Sequence, residues 1–406
     1  MQEVFIIDAL RTPIGALGGG LSSIRPDDLA ALVLREIVKR NAVDAAEVDD
    51  VYLGCANQAG EDNRDIARMA ALLAGFPERV PGITLNRLCA SGLSSINMAA
   101  RTIAAGEADL IIAGGVESMS RAPYSLPKDQ AGFGVGNMTA WNTALGWRYP
   151  NPAMQDLYGT DPLGITAENI AEMTGITRTA QDRFALQSHQ RAIAAQDEGR
   201  FDDEIISVQI PQRKGEDLLF EKDERPRRDT SLEKLSKLRA AFLKNGTVTA
   251  GNSSGMNDGA SAVLLMSKSK KESLGLQGMV RYLGSSTEGI APRIMGLGPV
   301  PATQKLLQRL GLSISDIQLA EINEAFAVQS LAVLQALDLS EEITNVNGGA
   351  IALGHPLGCS GARIFTTLIH EMKRRQAHSK KPFLGLASLC VGVGQGESTL
   401  VEWIGS

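Results

Sequence analysis

The sequence predicts an α/β fold made of two similar halves with a long segment inserted between them. Three observations carry this expectation. Short β-branched runs alternate with amphipathic stretches, the pattern of successive βαβ units. Glycine is abundant, 42 of 406 residues, and falls between the apolar runs, where strand-to-helix turns and close packing need it. The order of elements near the N-terminus also returns near the C-terminus, in a chain longer than one compact core ordinarily supports.

Val4 to Ile7 opens the pattern as a strand. Pro26, followed by Asp27 and Asp28, starts a helix carried by Leu29, Leu32, Val33 and Ile37, since proline fits a first turn and acids suit the dipole there. Val51 to Gly54 reads as the next strand, Asn63 to Leu73 as a helix, and Ile83 to Leu85 as a short strand. A small-residue helix from Ser91 to Ile103 and a buried strand from Asp109 to Ala113 complete the unit, and a largely parallel sheet is expected.

The second copy begins at Pro301, with Leu306, Leu307 and Leu310 at helical spacing. Ser313 to Ile322 resembles Ala45 to Leu53, and Phe326 to Leu337 repeats the second helix. Leu85-Asn86 ahead of Ser91-Gly92 is echoed by Val346-Asn347 ahead of Ser360-Gly361, and the extra residues in the second copy contain His355. Ser120 to Asn245 lacks this rhythm. It holds Trp141, Trp147, a helix from Arg178 to Ala195 and the basic, polar run Gln212 to Arg228. Segments inserted into a rigid scaffold commonly carry ligand contacts. The expected division is 1–119 with 246–275, an inserted loop domain over 120–245, and 276–406.

A net charge of −6 with 44% hydrophobic residues describes a soluble globular chain and argues against general nucleic-acid binding, which needs a surplus of Lys and Arg. No apolar run is long enough to span a bilayer. The start, with Glu3 where a secretory leader carries a basic residue, and the end, Trp403 to Ser406, show no export or peroxisomal signal, so a cytoplasmic location is expected. Cysteines at 55, 89, 359 and 390 are too scattered for a disulfide framework. Histidines at 189, 355, 370 and 378 make no zinc spacing with them, and no metal is expected.

Cys89 lies between a short strand and the helix beginning near Ser91, where unpaired N–H groups and the helix dipole are expected to lower a thiol's pKa. Most cysteines are inert small side chains, but the small residues following this one leave room for a ligand. A thiol nucleophile needs a base. The glycine-rich run Asn347 to Gly358 supplies His355 at the corresponding place in the other half. Cys390 ends an apolar strand and opens a glycine turn whose N–H groups suit an oxyanion.

These segments resemble the thiolase family over essentially the whole chain. The stretch around Cys89, Asn323-Glu-Ala-Phe, Asn347 to Arg363 and Cys390-Val-Gly-Val-Gly stand in the family's order and spacing, with Val393 replacing a frequent glycine. The resemblance implies two βαβαβαββ halves in five α-β-α-β-α layers, and coenzyme A as co-substrate with no permanently bound cofactor. It implies acylation of Cys89, His355 as the proton acceptor and Cys390 as acid and base. Asn323 would hold a water that forms one oxyanion site with His355, and the amides of Cys89 and Gly392 would form the other. Arg227 and Ser254 would contact coenzyme A, with Phe242, Phe326 and Leu163 lining its pocket. A homotetramer of paired dimers is implied, joined near Ser120 to Ala144.

Gln58 to Arg64, Leu145 to Pro152 and Tyr158 to Asp161 resemble the subgroup that cleaves 3-oxoadipyl-CoA. Pro162-Leu163-Gly164 departs from the acetoacetyl-CoA-forming enzymes, and Arg148 is a candidate partner for a distal carboxylate. Other readings are an acetyl-CoA C-acetyltransferase, a general fatty-acid 3-ketoacyl-CoA thiolase, a decarboxylating ketoacyl synthase, whose second histidine would stand where Cys390 does, or a non-catalytic acyl-CoA or lipid binder.

Overall fold

The structure is a computed structural model that describes residues 2–128, 132, 136–375 and 382–405. His378 and part of the Ser120 to Ala144 segment lie outside the described residues.

The first half runs β1 (Val4–Arg11), α1 (Pro26–Arg40), β2 (Asp50–Gly54), α2 (Ile66–Leu73), β3 (Gly82–Leu85), α3 (Ser91–Ala105) and β4 (Leu110–Ser118). The inserted segment carries α4 (Leu163–Thr174) and α5 (Arg178–Asp197) before β5 (Asn257–Ser267) returns to the sheet. The second half runs β6 (Val280–Gly289), α6 (Pro299–Leu310), β7 (Leu319–Ile322), α7 (Ala327–Leu337), α8 (Leu357–Arg375), β8 (Phe383–Val391) and β9 (Gln395–Trp403).

Hydrogen bonding orders the main sheet β7-β8-β9-β6-β1-β5-β4-β2-β3. The two halves have matching orders, β1-β5-β4-β2 and β6-β9-β8-β7, and join within the sheet where Phe5 and Ile6 pair with Arg281 and Val280. The repeat expected from the sequence is therefore built into the strand order. The largely parallel sheet is not. Only the β2, β3, β4 set and the β7/β8 pair run parallel, while β1, β5, β6 and β9 pair antiparallel. Each half ends in a strand that returns beside its predecessor, β8 to β9 through a tight turn and β4 to β5 after the insertion, and adjacent returning strands pair antiparallel. The second helix also starts later than its periodicity suggests, because Arg64 and Asp65 adopt left-handed φ of 58° and 64°.

Five layers follow from which side chains share a core. The outward face of β4, with Leu110, Ile112 and Val116, packs on Leu29, Val33, Leu34 and Ile37 of α1 and on α2. Its inward face, with Ile111 and Ala113, packs on α3 and α8 between the two sheet halves. In β8, Leu384 and Leu386 face α6 and α7, and Ala387 and Leu389 face the central helices. Every strand of these two is thus apolar on both sides, each fully buried Leu or Ile contributing about 1.5–3 kcal/mol.

The two central helices touch at their first turns. A Cβ on Gly92 would lie 2.7 Å from the Gly358 carbonyl, and one on Gly361 would lie 2.4 Å from the Leu93 nitrogen. Only glycine permits this approach. It brings the segment that precedes α3 against the segment that precedes α8. Among the described residues no helix is long and apolar enough to cross a membrane.

Candidate active site

Cys89 sits in a single 3-10 turn, Leu88–Ala90, that leads directly into α3. The motif builds this turn from its own side chains. Asn86 Oδ1 accepts from the Leu88 amide at 2.9 Å, and its Nδ2 donates to the Ala56 carbonyl at 2.9 Å. The Ser91 hydroxyl accepts from the Arg87 amide at 2.9 Å and donates to the Leu88 carbonyl at 2.7 Å. Leu88 is held at φ 47°, a left-handed conformation that costs a branched residue about 1 kcal/mol or more. Backbone strain thus sits immediately before the reactive sulfur.

The lowered thiol pKa expected at a helix start is not found. Burial pushes Cys89 up to about 11, although the backbone N–H groups of Gly392 and of Cys89 itself draw it part of the way back. Desolvation of the charge outweighs the helix terminus because Cys89 is almost wholly enclosed. The resting group is a thiol. Its ionisation therefore needs an acceptor at the moment of attack.

His355 lies in the turn between the short helix Ala350–Leu353 and α8. Gly354, at φ 116°, turns the chain, and Asn257 Oδ1 accepts from the His355 amide at 3.0 Å. The ring Nδ1 is 2.6 Å from Ser360 Oγ, while that hydroxyl donates to the Pro356 carbonyl at 2.9 Å. With its only hydrogen committed to Pro356, Ser360 can only accept from the ring, so we assign the hydrogen to Nδ1 and make Nε2 the acceptor nitrogen. Burial, with the Arg363 charge as a smaller cause, lowers the His355 pKa to about 3. The ring is neutral at physiological pH and can take a proton.

Asn323 follows β7, its amide anchored to the Ser388 carbonyl of β8 at 2.9 Å. Its Nδ2 lies 3.4 and 3.5 Å from the two nitrogens of His355. Its Oδ1 is buried, and among the described residues it has no hydrogen-bond partner. Cys390, the penultimate residue of β8, is buried, and burial followed by the proximity of Cys89 raises its thiol well above the usual range. In the turn after it, Val393 takes φ 64°. The chain thus keeps a conformation natural to glycine despite a β-branched side chain.

A cavity of about 290 Å³ opens over Cys89, bounded by Gly392, Val393, Leu163, Leu357 and Met295 and, from the insertion, by Trp147, Arg148 and Tyr158. Of the residues expected from the sequence, Cys89, Gly392, Leu163 and Arg148 border it directly, and His355, Asn323 and Cys390 do not. Phe326 is buried behind its wall, beside Cys390, Leu163 and Met295. Phe242 stacks edge-on against Phe326, ring centres 6.2 Å apart. Ser254 donates its amide to the Ala325 carbonyl at 3.0 Å, next to the Asn323 segment. Arg227 lies farther out, exposed, with its amide bonded to His189 Nδ1 at 3.1 Å.

Sequence reasoning missed Ser360, which orients the histidine, and Glu117. The Glu117 carboxylate accepts from the amides of Ala56 and Gly358 at 3.0 and 2.7 Å and of Asn57 at 3.2 Å. Burial raises its pKa to about 7 against the pull of these donors. Glu117, Cys55 and Asp62 bring three buried ligand-type atoms within 4.8 Å. The Glu117 oxygens are taken by backbone N–H groups, Asp62 accepts from the Gly60 amide at 2.8 Å, and burial raises the Cys55 thiol. The cluster is a hydrogen-bonded latch.

Two matched halves, with Cys89 and His355 each in the turn that leads into a central helix, define a duplicated α/β class of fold with a thiol and an imidazole at corresponding places. Residues 4–269 match the thiolase N-terminal domain and residues 276–403 the thiolase C-terminal domain. The chain belongs to the thiolase family and is an acyltransferase. It is 54% identical over 404 residues, 99% of each chain, to a beta-ketoadipyl-CoA thiolase of Pseudomonas aeruginosa. It is 51% identical over 405 residues, 99% of this chain and 100% of the other, to a 3-oxoadipyl-CoA/3-oxo-5,6-dehydrosuberyl-CoA thiolase of Escherichia coli. Its fold matches human mitochondrial 3-ketoacyl-CoA thiolase in complex with CoA at a TM-score of 0.92 and 39% identity, covering 100% of this chain and 98% of that one.

Proposed function

We propose that the protein cleaves 3-oxoadipyl-CoA with coenzyme A to give acetyl-CoA and succinyl-CoA. The observation that carries this reading is the junction itself. Cys89 borders the cavity beside the Gly392 amide, and His355 is held by Ser360 with Nε2 as its acceptor nitrogen. The names of the two relatives supply the substrate.

The steps balance without a metal. His355 takes the Cys89 proton as the sulfur attacks the ketone carbon, and the oxyanion is held by amides of Cys89 and Gly392 or by Asn323 through a water. The bond between the ketone carbon and its neighbour breaks, and the Cys390 thiol protonates the departing enolate to release acetyl-CoA. Incoming coenzyme A returns a proton to Cys390, and its sulfur attacks the succinyl group on Cys89. Succinyl-CoA leaves, and His355 gives its proton back to the Cys89 sulfur. A thiol and a neutral imidazole at rest suit this cycle, since charge appears only when an acyl group is present.

We infer the same division of labour along the chain as before, with 120–245 as the inserted domain between 1–119 plus 246–275 and 276–406. The insertion would carry coenzyme A contacts through Arg227 and tetramer contacts through exposed Tyr124, Leu126 and Met138. Light scattering checks the assembly: a tetramer is expected, and a monomer overturns it.

The test of the reaction is a thiolysis panel of 3-oxoadipyl-CoA, acetoacetyl-CoA and a longer 3-ketoacyl-CoA, with intact mass after incubation with succinyl-CoA. Fastest turnover of the first and one succinyl group on Cys89 are expected. Faster turnover of acetoacetyl-CoA would overturn the substrate, and no mass change would overturn the mechanism.

A further inference from the structure

The cavity wall carries two arginines that differ in how their charge is answered. Arg293 Nε lies 3.0 Å from Asp161 Oδ2, and Asp161 borders the same cavity. Those two charges cancel locally. Arg148 meets only backbone carbonyls, with Nη1 donating to Thr143 at 3.1 Å and Nη2 to Asn57 at 3.4 Å. Among the described residues no carboxylate pairs with it.

Its seat is rigid. The Thr143 hydroxyl donates to the Pro123 carbonyl at 2.6 Å and accepts from Asn57 Nδ2 at 3.4 Å. The Asn57 amide is held in turn by Glu117. Neighbouring Trp147 donates from Nε1 to the Asp161 carbonyl at 3.3 Å. Carbonyl dipoles fix the plane of the guanidinium but do not neutralise it, and they leave further N–H donors unused. An unanswered positive charge on the wall of a cavity that Leu145, Leu163, Leu357 and Met295 border beside the paired Arg293 and Asp161 favours an anion and disfavours an apolar end, which would leave the charge desolvated and unpaired.

We propose that Arg148 receives the terminal carboxylate of the acyl chain and thereby selects dicarboxylic over monocarboxylic 3-ketoacyl-CoA substrates. This rests on the thiolase reading of the same cavity, because the acyl carbon joins Cys89 and the rest of the chain must lie within the space that Arg148 borders. Both relatives named above are described by dicarboxylic acyl chains, adipyl and dehydrosuberyl. A planar guanidinium can meet a carboxylate through two parallel N–H bonds, which an ammonium cannot.

The experiment compares the wild type with Arg148→Gln and Arg148→Lys on 3-oxoadipyl-CoA and on its uncharged equal-length analogue, 3-oxohexanoyl-CoA. The ratio of kcat/KM for the two is expected to fall about 100-fold in Arg148→Gln and about tenfold in Arg148→Lys. The preference of Cys89 for succinyl-CoA over butyryl-CoA, read by intact mass, should fall in step. A ratio that moves less than threefold, or a parallel loss on both substrates, would mean that Arg148 only pins the Thr143 and Asn57 carbonyls, and the proposal is then lost. A wild type that prefers 3-oxohexanoyl-CoA would overturn the 3-oxoadipyl-CoA reading alone, provided Arg148→Gln still shifts the ratio.

Discussion

The C-terminal ends of β4 and β8 occupy corresponding places in the two halves, and each reaches across to the start of the other half's central helix. From β4, the Glu117 carboxylate accepts the Gly358 amide in the first turn of α8. From beyond β8, the Gly392 amide lies beside the Cys89 sulfur just before α3 and favours its charged form. One crossing is permanent, with three backbone amides saturating a carboxylate. The other leaves a thiol and an amide facing the cavity. A duplicated scaffold offers two equivalent junctions, and here one holds the halves in register while the other is open for chemistry.

The sharpest way to break this contrast is to remove one side chain from each junction. Cys390→Ala should lower thiolysis about a thousandfold, since an acid–base group is lost, and should leave the thermal midpoint nearly unchanged. Steady-state kinetics with a melting curve check it, and retained turnover would show that Cys390 is only a core residue. Glu117→Ala should do the reverse. Three buried amides lose their acceptor, so about 3 kcal/mol of stability should go, read as a lower denaturation midpoint in urea. A stable but inactive Glu117→Ala protein would mean that this junction also takes part in the reaction.

A smaller effect concerns pH. An unfolded imidazole protonates near pH 6.5, whereas buried His355 holds off protonation until about pH 3. The unfolded chain therefore binds more protons in that window, and stability present above pH 6.5 is lost as pH falls toward 3. The loss from this one group is about 1 kcal/mol per pH unit. Burial also lowers His189, to about 4, and His370, which add to the trend. Denaturation midpoints of wild type and His355→Asn between pH 7 and 5 should converge, and parallel curves would count against a buried neutral ring.

The doubled fold was legible because it is written in local signals. Proline and acids open α1, glycine separates strand from helix, and the same order returns one half-chain later. Cys89, His355 and Cys390 could be proposed for the same reason, each standing in a motif that makes its own turn. What the sequence hid are properties that depend on distant neighbours. The Cys89 pKa is governed by enclosure, which a motif does not encode. Glu117 reads as an ordinary acid at the end of a strand until Gly358, 241 positions away, comes beside it. The antiparallel central pairings were missed because strand direction depends on where the chain returns after an insertion. Arg148 could be singled out by its place among aromatic residues, but its lack of an acidic partner is visible only in space.

The first strand made, β1, lies between β5 and β6, which begin at Asn257 and Val280. A chain emerging from the ribosome therefore carries an apolar ribbon with both borders open until well over half of the polypeptide exists, a condition that slows folding and invites misassociation. The same layout delays reactivity. In the proposed cycle the imidazole and the amide that serve the sulfur come from residues 355 and 392, so an unfinished polypeptide would not acquire an acyl group by this route, and competence would arrive only with its last strands.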